Sequence, residues 1–311
     1  MEYVLLIGGL IVLIIAGEAL VRGAVGIALK FNIPTLVIGM TIVSFGTSAP
    51  ELLVSLKAAL NDHPELAIGN VIGSNIANIA LVLGITTMIL PIVVKRSTAR
   101  IDWPIMMGTT ILFYIFILDQ KIVWYEGVVL TLGLVAFNYY MFWSAKKENK
   151  TEILDEDAEE VKKSSMLVNI LYIAGGAIGL AFGASWLLDG AVVIASNFGV
   201  SEHVIGVTIV AFGTSVPELI TSVVAAFKKH TDISVGNLIG SNIFNILGVV
   251  GITAMVKEIP VSLHVITNDS YWLLAISFLV FPLMIIGYKI NRLRGFALFA
   301  AYCVYIYFVV S

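Results

Sequence analysis

Long apolar runs separated by short polar segments make up most of the chain. Charged residues are absent from residues 3–17, 75–94, 105–118, 127–143, 270–288 and 295–310. A helix needs about 20 residues to cross a hydrocarbon core that is about 30 Å thick. The pattern therefore predicts an integral membrane protein with several transmembrane helices. The composition agrees, because 59% of the residues are hydrophobic and only 13% are charged, whereas about a quarter of the residues in soluble domains are charged.

An internal repeat relates the two halves of the chain. The segment GMTIVSFGTSAPELLVSLKAAL, which begins at Gly39, recurs 167 residues later as GVTIVAFGTSVPELITSVVAAF, and residues 39–86 share 28 identities in 48 positions with their counterparts. The polar residues match best, which chance similarity between two apolar stretches would not produce. The predicted domains are residues 1–144, a charged linker at 145–165 and residues 166–311.

Hydropathy predicts five helices in each half. The first five lie near residues 3–28, 34–60, 66–90, 101–119 and 123–144, and the second five near 166–195, 203–228, 232–256, 270–288 and 293–310. Because an odd number of crossings separates them, the two halves insert in opposite orientations. The expected fold class is an all-α integral membrane protein whose ten transmembrane helices form two inverted-topology five-helix repeats.

The basic residues predict which side of the membrane each loop faces. With the N-terminus outside, 15 Lys and Arg residues fall on the inner side and 3 on the outer side, and cytoplasmic loops carry this kind of excess. The expected location is the cell membrane, with both termini extracellular and the linker cytoplasmic. The lipid bilayer is the expected surrounding, and neither a nucleic acid nor a protein partner is implied. The lone Cys303 excludes disulfides within the chain.

A proline near the middle of an apolar helix, followed directly by a glutamate, occurs once in each half. Pro50 precedes Glu51, and Pro217 precedes Glu218. Proline removes a backbone donor, so both helices are expected to break there. An acidic residue inside the membrane is costly, and its default interpretation is functional. The alternative, a glutamate paired with a neighbouring Lys or Arg, is disfavoured because no basic residue lies in the helix centres.

Backbone carbonyls upstream of each proline are further candidate ligands. The expected break leaves carbonyls near Ser44 and Ala211 without their usual partners. Unpaired carbonyls are costly in lipid unless something satisfies them, and a cation can do so.

Glu18 has a different expected role. It lies four residues before Arg22 on the first predicted helix, and that spacing suits a local ion pair. Glu18 is therefore not counted among the cation ligands.

A Gly-Ser-Asn element is the second polar feature that the halves share. Ser74 and Asn78 in the first half correspond to Ser241 and Asn245 in the second. Residues four apart lie on one helix face, where they offer a hydroxyl and an amide oxygen to a cation. Hydrogen bonding between helices is the alternative use of such residues in membranes. The asparagines expected to serve in that way are Asn70, Asn75, Asn237 and Asn242.

The candidate ligands are all oxygen atoms, which favours a hard cation. Ca²⁺ takes about six to eight oxygen ligands in a flexible shell. No Cys or His is among the candidates, so a soft transition metal is disfavoured. One Ca²⁺ or several Na⁺ would neutralise the two glutamates. Mutual exclusion of these cations at one site would give exchange, so Ca²⁺ and Na⁺ are the expected substrates and no cofactor is expected.

The paired elements GTSAPE and GTSVPE, together with GSNIAN and GSNIFN, resemble the alpha repeats of the sodium/calcium exchanger family, within the calcium/cation antiporter superfamily. The resemblance covers nearly the whole chain and fits a compact prokaryotic member. It implies a Na⁺/Ca²⁺ antiporter that works by alternating access, with three Na⁺ exchanged for one Ca²⁺.

The resemblance also implies a role for each candidate residue. Glu51 and Glu218 would bind Ca²⁺ directly. Hydroxyl or carbonyl oxygens would come from Thr47, Ser48, Thr214 and Ser215. The residues that would complete the Na⁺ or water-linked positions are Ser74, Ser241, Asn78 and Asn245. Main-chain carbonyls would come from Ser44 and Ala211. Some members, among them potassium-dependent relatives, carry an acid where this chain has Asn245. The asparagine therefore argues against K⁺ cotransport.

Three other functions are weighed against Na⁺/Ca²⁺ exchange. A proton/calcium antiporter of the same superfamily is the nearest, because two glutamates can also bind protons. A passive cation channel is disfavoured, because channels usually build their pores from symmetric oligomers. A membrane enzyme is disfavoured because Ser48 and Ser215 have no intramembrane Lys or His at a recognisable spacing.

The predicted orientation can be checked by labelling a single cysteine in the linker. In a Cys303→Ala background, Thr151→Cys should react with a membrane-impermeant maleimide only after the inner face is opened, because the basic residues place the linker in the cytoplasm. Labelling of Thr151→Cys in intact cells would contradict the orientation.

Overall fold

The computed structural model describes residues 1–145, 164–199 and 211–310. The helices in these ranges are α1 Glu2–Phe31, α2 Thr35–Leu60, α3 Leu66–Ile89, α4 Thr98–Asp119, α5 Trp124–Ala145, α6 Met166–Asn197, α7 Val216–Phe227, α8 Thr231–Val256, α9 Val265–Ile285 and α10 Arg292–Val309. Within these ranges, nine helices are long and apolar enough to cross a membrane, and α7 is shorter. A helical segment, Ala211–Thr214, precedes α7. Residues 203–210 of the predicted seventh helix and most of the linker lie outside the described residues.

Wide π-helical turns open two equivalent helices. Residues Thr98–Asp102 begin α4, and Val265–Asp269 begin α9 in the other repeat. The prediction started the ninth helix at residue 270, where a run without charged residues begins after Asp269. The structure extends it by this turn, since polar residues can occupy the end of a membrane helix where the interface supplies water.

Short antiparallel strand pairs join connections of opposite repeats, which the hydropathy pattern did not predict. The strands are β1 Ile92–Val93, β2 Lys121–Ile122, β3 Ile259–Pro260 and β4 Lys289–Ile290. β1 pairs with β4, and β2 pairs with β3. In both pairs, one strand follows the third helix of its repeat and the other follows the fourth helix of the opposite repeat. The pairing therefore obeys the repeat symmetry.

The chain folds into two compact units that differ from the sequence repeats. Unit 1 comprises Met1–Thr47 and Asn138–Leu238, and unit 2 comprises Ser48–Phe137 and Ile239–Ser311. Each unit therefore contains segments of both repeats. The helices α2, α5 and α8 pass from one unit into the other.

In unit 1, α1 and α6 pack closely along a seam of small residues. The seam repeats every seven residues, with Gly9, Ala16 and Gly23 on α1 and Gly176, Gly183 and Gly190 on α6. A Cβ atom on Gly9 would lie 2.6 Å from the backbone nitrogen of Leu187 and 2.7 Å from the carbonyl oxygen of Gly183. Small residues allow such close backbone approach between membrane helices. The apolar residues Leu13, Leu20 and Leu180 are fully buried beside the seam.

Unit 1 also ties α1 to the end of α7 by an ion pair. The Lys228 ammonium lies 2.6 Å from the Glu18 carboxylate. The predicted pairing of Glu18 with Arg22 is therefore wrong. The Arg22 guanidinium stacks instead over the ring of Tyr172, 5.5 Å from its centroid. The spacing rule considered only contacts within one helix, whereas Lys228, at the end of α7, is a basic residue close to Glu18.

The seam can be tested with two adjacent glycines. Gly9→Ala should lower the melting temperature of the detergent-solubilised protein, because the added methyl group meets backbone atoms that cannot move aside, at a cost of about 1–3 kcal/mol. Gly8→Ala is the matched control, because a Cβ atom there meets nothing within 4 Å. Equal melting temperatures for the two variants would contradict the packing of α1 against α6.

Candidate functional site

One face of α2 carries four of the predicted ligand residues. Ser44, Thr47, Ser48 and Glu51 follow the spacing i, i+3, i+4 and i+7, which places them in one stripe of the helix. All four are buried, and Glu51 has no exposed surface. A carboxylate that is removed from water is stable only with a hydrogen-bonded or charged partner, a bound cation or a bound proton. The stripe is therefore suited to hold a cation.

The expected helix break at Pro50 is absent. The helix continues from Ser44 to Leu60, and the irregular part is the π-helical segment Gly39–Val43 upstream. Side-chain hydroxyls bond back to carbonyls in this region: Ser44 Oγ donates to the Met40 carbonyl at 2.8 Å and Thr47 Oγ1 to the Ser44 carbonyl at 3.3 Å. Pro50 removes the donor to the Gly46 carbonyl, and these hydroxyls support the backbone of the turns that precede it. The Ser44 carbonyl thus has a hydroxyl partner, which the prediction did not anticipate.

The second repeat does break next to its proline. Ser215 has φ −90° and ψ 2°, and α7 starts immediately after it with Pro217 in the first turn. Glu218 therefore lies in the first turn of a helix, where the macrodipole stabilises a negative charge. Glu218 and Ser215 are fully buried, and Thr214 is half-buried. Ser215 Oγ has no hydrogen-bond partner in the part of the chain that the structure describes.

The predicted ligands divide evenly between the two compact units. Unit 1 contains Ser44, Thr47, Ala211, Thr214, Ser215 and Glu218, and unit 2 contains Ser48, Glu51, Ser74, Asn78, Ser241 and Asn245. The backbone of Ala211 belongs to a helical segment, whereas its side chain lies outside the described residues. Each unit thus carries one of the two glutamates together with hydroxyl groups.

Equivalent asparagine–serine contacts brace the helices that carry the glutamates. In unit 2, Asn70 Nδ2 donates to Ser55 Oγ at 3.0 Å and to the Glu51 carbonyl at 3.4 Å. In unit 1, Asn237 Nδ2 donates to Ser222 Oγ at 3.3 Å. Each serine lies one helical turn after its glutamate. The predicted hydrogen-bonding role of Asn70 and Asn237 is confirmed.

The braces include residues that the sequence analysis missed. Asn237 Oδ1 also lies 3.0 Å from Thr47 Oγ1, and it shares the single hydroxyl proton of Thr47 with the Ser44 carbonyl at 3.3 Å. Ser55 and Ser222 were not proposed as functional, although both occupy the same position of the repeat. Identity across the repeats was the signal that could have found them.

The Gly-Ser-Asn residues lie in the buried middle parts of α3 and α8. Ser74, Asn78, Ser241 and Asn245 are each at most 2% exposed. Among the described residues, Asn78 finds no hydrogen-bond partner for either amide atom, and Asn245 finds none for Oδ1. Leaving a buried polar atom unpaired costs about 1–3 kcal/mol. These oxygens are therefore available to a ligand, as a role in cation binding requires.

The charged pairs elsewhere in unit 2 differ from these buried groups. Asp62, in the loop before α3, bonds to Lys257, and this contact lowers the pKa of its carboxyl group below the usual value. Lys121 lies 4.0 Å from Glu258, and about half of each side chain is exposed. Across the described ranges, no three His, Cys, Asp or Glu side chains form a cluster that could hold a metal ion. A cation site among the described residues would therefore need hydroxyl, amide and carbonyl oxygens as well.

Comparisons with known proteins show which family the chain resembles. The family model for sodium/calcium exchanger protein matches residues 1–143 and 168–311. The chain is 37% identical over 309 residues to the putative antiporter CaxA of Alkalimonas amylolytica, covering 97% of each chain. It is 26% identical over 340 residues to the sodium/calcium exchanger MaX1 of Methanosarcina acetivorans, covering 98% of this chain and 97% of that one.

A solved structure also matches the fold. The sodium-calcium exchanger NCX_Mj superposes with a TM-score of 0.82 at 32% identity, covering 99% of this chain and 98% of the other. The expected fold class, an all-α membrane protein with ten transmembrane helices in two inverted-topology repeats, is thereby confirmed.

Ligand-dependent stabilisation tests the two glutamates as binding groups. Ca²⁺ should raise the melting temperature of the wild-type protein, since a ligand at 100 times its Kd stabilises the folded state by about 2.7 kcal/mol. Glu51→Gln and Glu218→Gln should each remove this rise, because glutamine keeps the shape and loses the charge. Glu258→Gln, whose side chain is 58% exposed in the wild type, should keep it. An undiminished rise in both buried-site variants would exclude the glutamates as ligands.

Proposed function

The chain belongs to the sodium/calcium exchanger family, and we propose that it exchanges Na⁺ for Ca²⁺ across the membrane by alternating access. The family identifies it as a multi-pass membrane transporter of the cation/Ca²⁺ antiport type rather than an enzyme. The proposal concerns the coupling ion, the stoichiometry and the residues that bind the cations.

The burial of Glu51 and Glu218 carries the proposal. Both side chains have no exposed surface, and they occupy the same position in the two repeats. Two ionised carboxylates make a charge of −2, which one Ca²⁺ or several Na⁺ can neutralise. Holding both kinds of cation at once would leave a large uncompensated charge in a low-dielectric surrounding, which is expensive. Binding of one kind therefore displaces the other.

The remaining ligands are neutral oxygens. Hydroxyl or carbonyl oxygens come from Thr47, Ser48, Thr214 and Ser215, hydroxyl oxygens from Ser74 and Ser241, and amide oxygens from Asn78 and Asn245. Main-chain carbonyls come from Ala211 and from Ser44, which gives up its contact with the Thr47 hydroxyl when a cation binds. The unpartnered amide oxygens of Asn78 and Asn245 support this assignment. Since neither asparagine titrates, the two glutamates alone set the charge of the empty site at −2.

The position of Glu218 favours Na⁺ over H⁺ as the coupling ion. Its place in the first turn of α7 stabilises the ionised carboxylate through the helix macrodipole. Protonation would forfeit that interaction, whereas Na⁺ binding keeps the negative charge. Exchange of Ca²⁺ for protons at the same two carboxylates is the competing function.

Charge balance then predicts electrogenic transport without K⁺. One Ca²⁺ crosses with the carboxylates neutralised, and three Na⁺ return with a net charge of +1, so one charge moves per cycle at about 2.3 kcal/mol per 100 mV. A potential that is negative inside should drive Na⁺ in and Ca²⁺ out. The linker is proposed to face the cytoplasm and both termini the outside, consistent with the distribution of basic residues.

Flux in proteoliposomes tests the coupling. With the membrane potential clamped by valinomycin and set K⁺ gradients, an imposed Na⁺ gradient should drive Ca²⁺ uptake, and the rate should change with the potential. Replacing Glu51 or Glu218 by glutamine should abolish the flux, and Glu258→Gln should leave it unchanged. Uptake driven by a pH gradient and not by Na⁺ would establish proton coupling instead. Flux that ignores the potential would contradict the three-to-one ratio.

A further inference from the structure

Three asparagines in unit 2 are linked in a chain by hydrogen bonds. These bonds orient the side-chain amide of Asn245 but not that of Asn78, which occupies the same position in the first repeat. Asn75 lies on α3, and Asn242 and Asn245 lie on α8; all three are at most 1% exposed. Asn75 Nδ2 donates to the Asn242 carbonyl at 3.3 Å. Asn245 Nδ2 donates to Asn75 Oδ1 at 3.1 Å. The last oxygen in the chain, Asn245 Oδ1, has no hydrogen-bond partner within the described ranges.

The direction of this chain is fixed by one backbone atom. A carbonyl oxygen can only accept a hydrogen bond, so the atom of Asn75 that faces the Asn242 carbonyl must be its nitrogen. The Asn75 oxygen then faces Asn245, and only the nitrogen of Asn245 can donate to it. Asn245 must therefore turn its oxygen away from Asn75.

The equivalent amide in the first repeat lacks this support. Asn78 corresponds to Asn245, and Asn242 corresponds to Asn75. Asn242 Nδ2 points to Met106 Sδ at 3.7 Å, and neither Asn242 Oδ1 nor the two Asn78 amide atoms find a partner in the described chain. The contact that orients Asn245 is thus specific to the second repeat.

We propose that Asn75 is a positioning residue that makes Asn245 a cation ligand, by holding the Asn245 amide with its oxygen presented and its N–H group withdrawn. An amide that rotates by half a turn would present N–H protons to the cation, which repel it. Groups that orient a ligand typically change metal affinity about 10- to 100-fold when they are removed. This inference rests on the proposed role of Asn245 in cation binding.

Na⁺-driven Ca²⁺ uptake by Asn75 variants in proteoliposomes tests this role. Asn75→Leu keeps the branched shape of the side chain but offers neither a donor nor an acceptor, so the Na⁺ or Ca²⁺ concentration for half-maximal transport should rise about tenfold or more, with the maximal rate and the melting temperature near wild-type values. Asn75→Asp keeps an oxygen that accepts from Asn245 but sets its second oxygen against the Asn242 carbonyl, so it should restore the affinity only where its carboxyl group is protonated and can donate to that carbonyl. Asn242→Leu is the control, because its backbone carbonyl, the acceptor for Asn75, is unchanged.

A double-mutant cycle separates positioning from simple packing. Asn245→Ala alone should weaken binding of the same cation. Adding Asn75→Leu to Asn245→Ala should have no further effect on the affinity, since the effects of residues that act through one another are not additive. Additive losses would overturn the inference, as would a fall in maximal rate or melting temperature with unchanged affinity. Wild-type affinity in Asn245→Ala would overturn it too, by removing Asn245 from the ligands. In that case Na⁺-driven uptake by the same variant would show that the proposed exchange itself stands.

Discussion

The cost of burying a negative charge in a low-dielectric surrounding governs this protein. Glu51 and Glu218 are withdrawn from solvent within the apolar helices α2 and α7, and neither can remain ionised there without compensation. Under the proposed exchange, transported cations supply that compensation, so an empty site would be the expensive state and exchange of one cation for another the favourable step. A transporter built on this constraint couples its two substrates without any contact between them.

The surroundings of the glutamates follow from the same constraint. Hydroxyls bond back along α2, the Asn70–Ser55 and Asn237–Ser222 braces fix the glutamate helices to their neighbours, and the first turn of α7 directs its dipole at Glu218. Each of these devices places a fixed dipole or donor near a charge that must be held. Pre-oriented polar groups of this kind cost little reorganisation when an ion binds or leaves.

The inverted repeat explains why most structural features of the first repeat have a counterpart in the second. Some features near the glutamates differ between the repeats. The strand pairs and the opening turns of α4 and α9 obey the repeat symmetry. The glutamate helices do not, since α2 runs through Pro50 while the second repeat breaks at Ser215. The asparagine contacts of Asn78 and Asn245 also differ. In the proposed exchange, cations of different charge and number would therefore meet two ligand sets that are similar but not identical.

The sequence predicts the membrane fold, the repeat and the burial of the glutamates because these depend on hydrophobicity and on residue identity at a fixed offset. It does not predict that the helix continues through Pro50, since support of a proline in a membrane helix by neighbouring helices and back-bonding hydroxyls is not contained in the residue pattern. It also misassigns Glu18, whose partner Lys228 is distant in sequence. The Asn75–Asn245 contact depends on the direction of an amide, which no spacing rule contains.

Competition between Na⁺ and Ca²⁺ at equilibrium tests mutual exclusion most directly. Calorimetric titration of Ca²⁺ into the purified protein in lipid nanodiscs should give an apparent Kd that rises without limit as Na⁺ increases, with a logarithmic slope above one because several Na⁺ replace one Ca²⁺. Potassium at the same ionic strength should leave the Kd unchanged. A Ca²⁺ affinity that is insensitive to Na⁺, or that reaches a plateau, would show that the two cations bind together and would contradict the account.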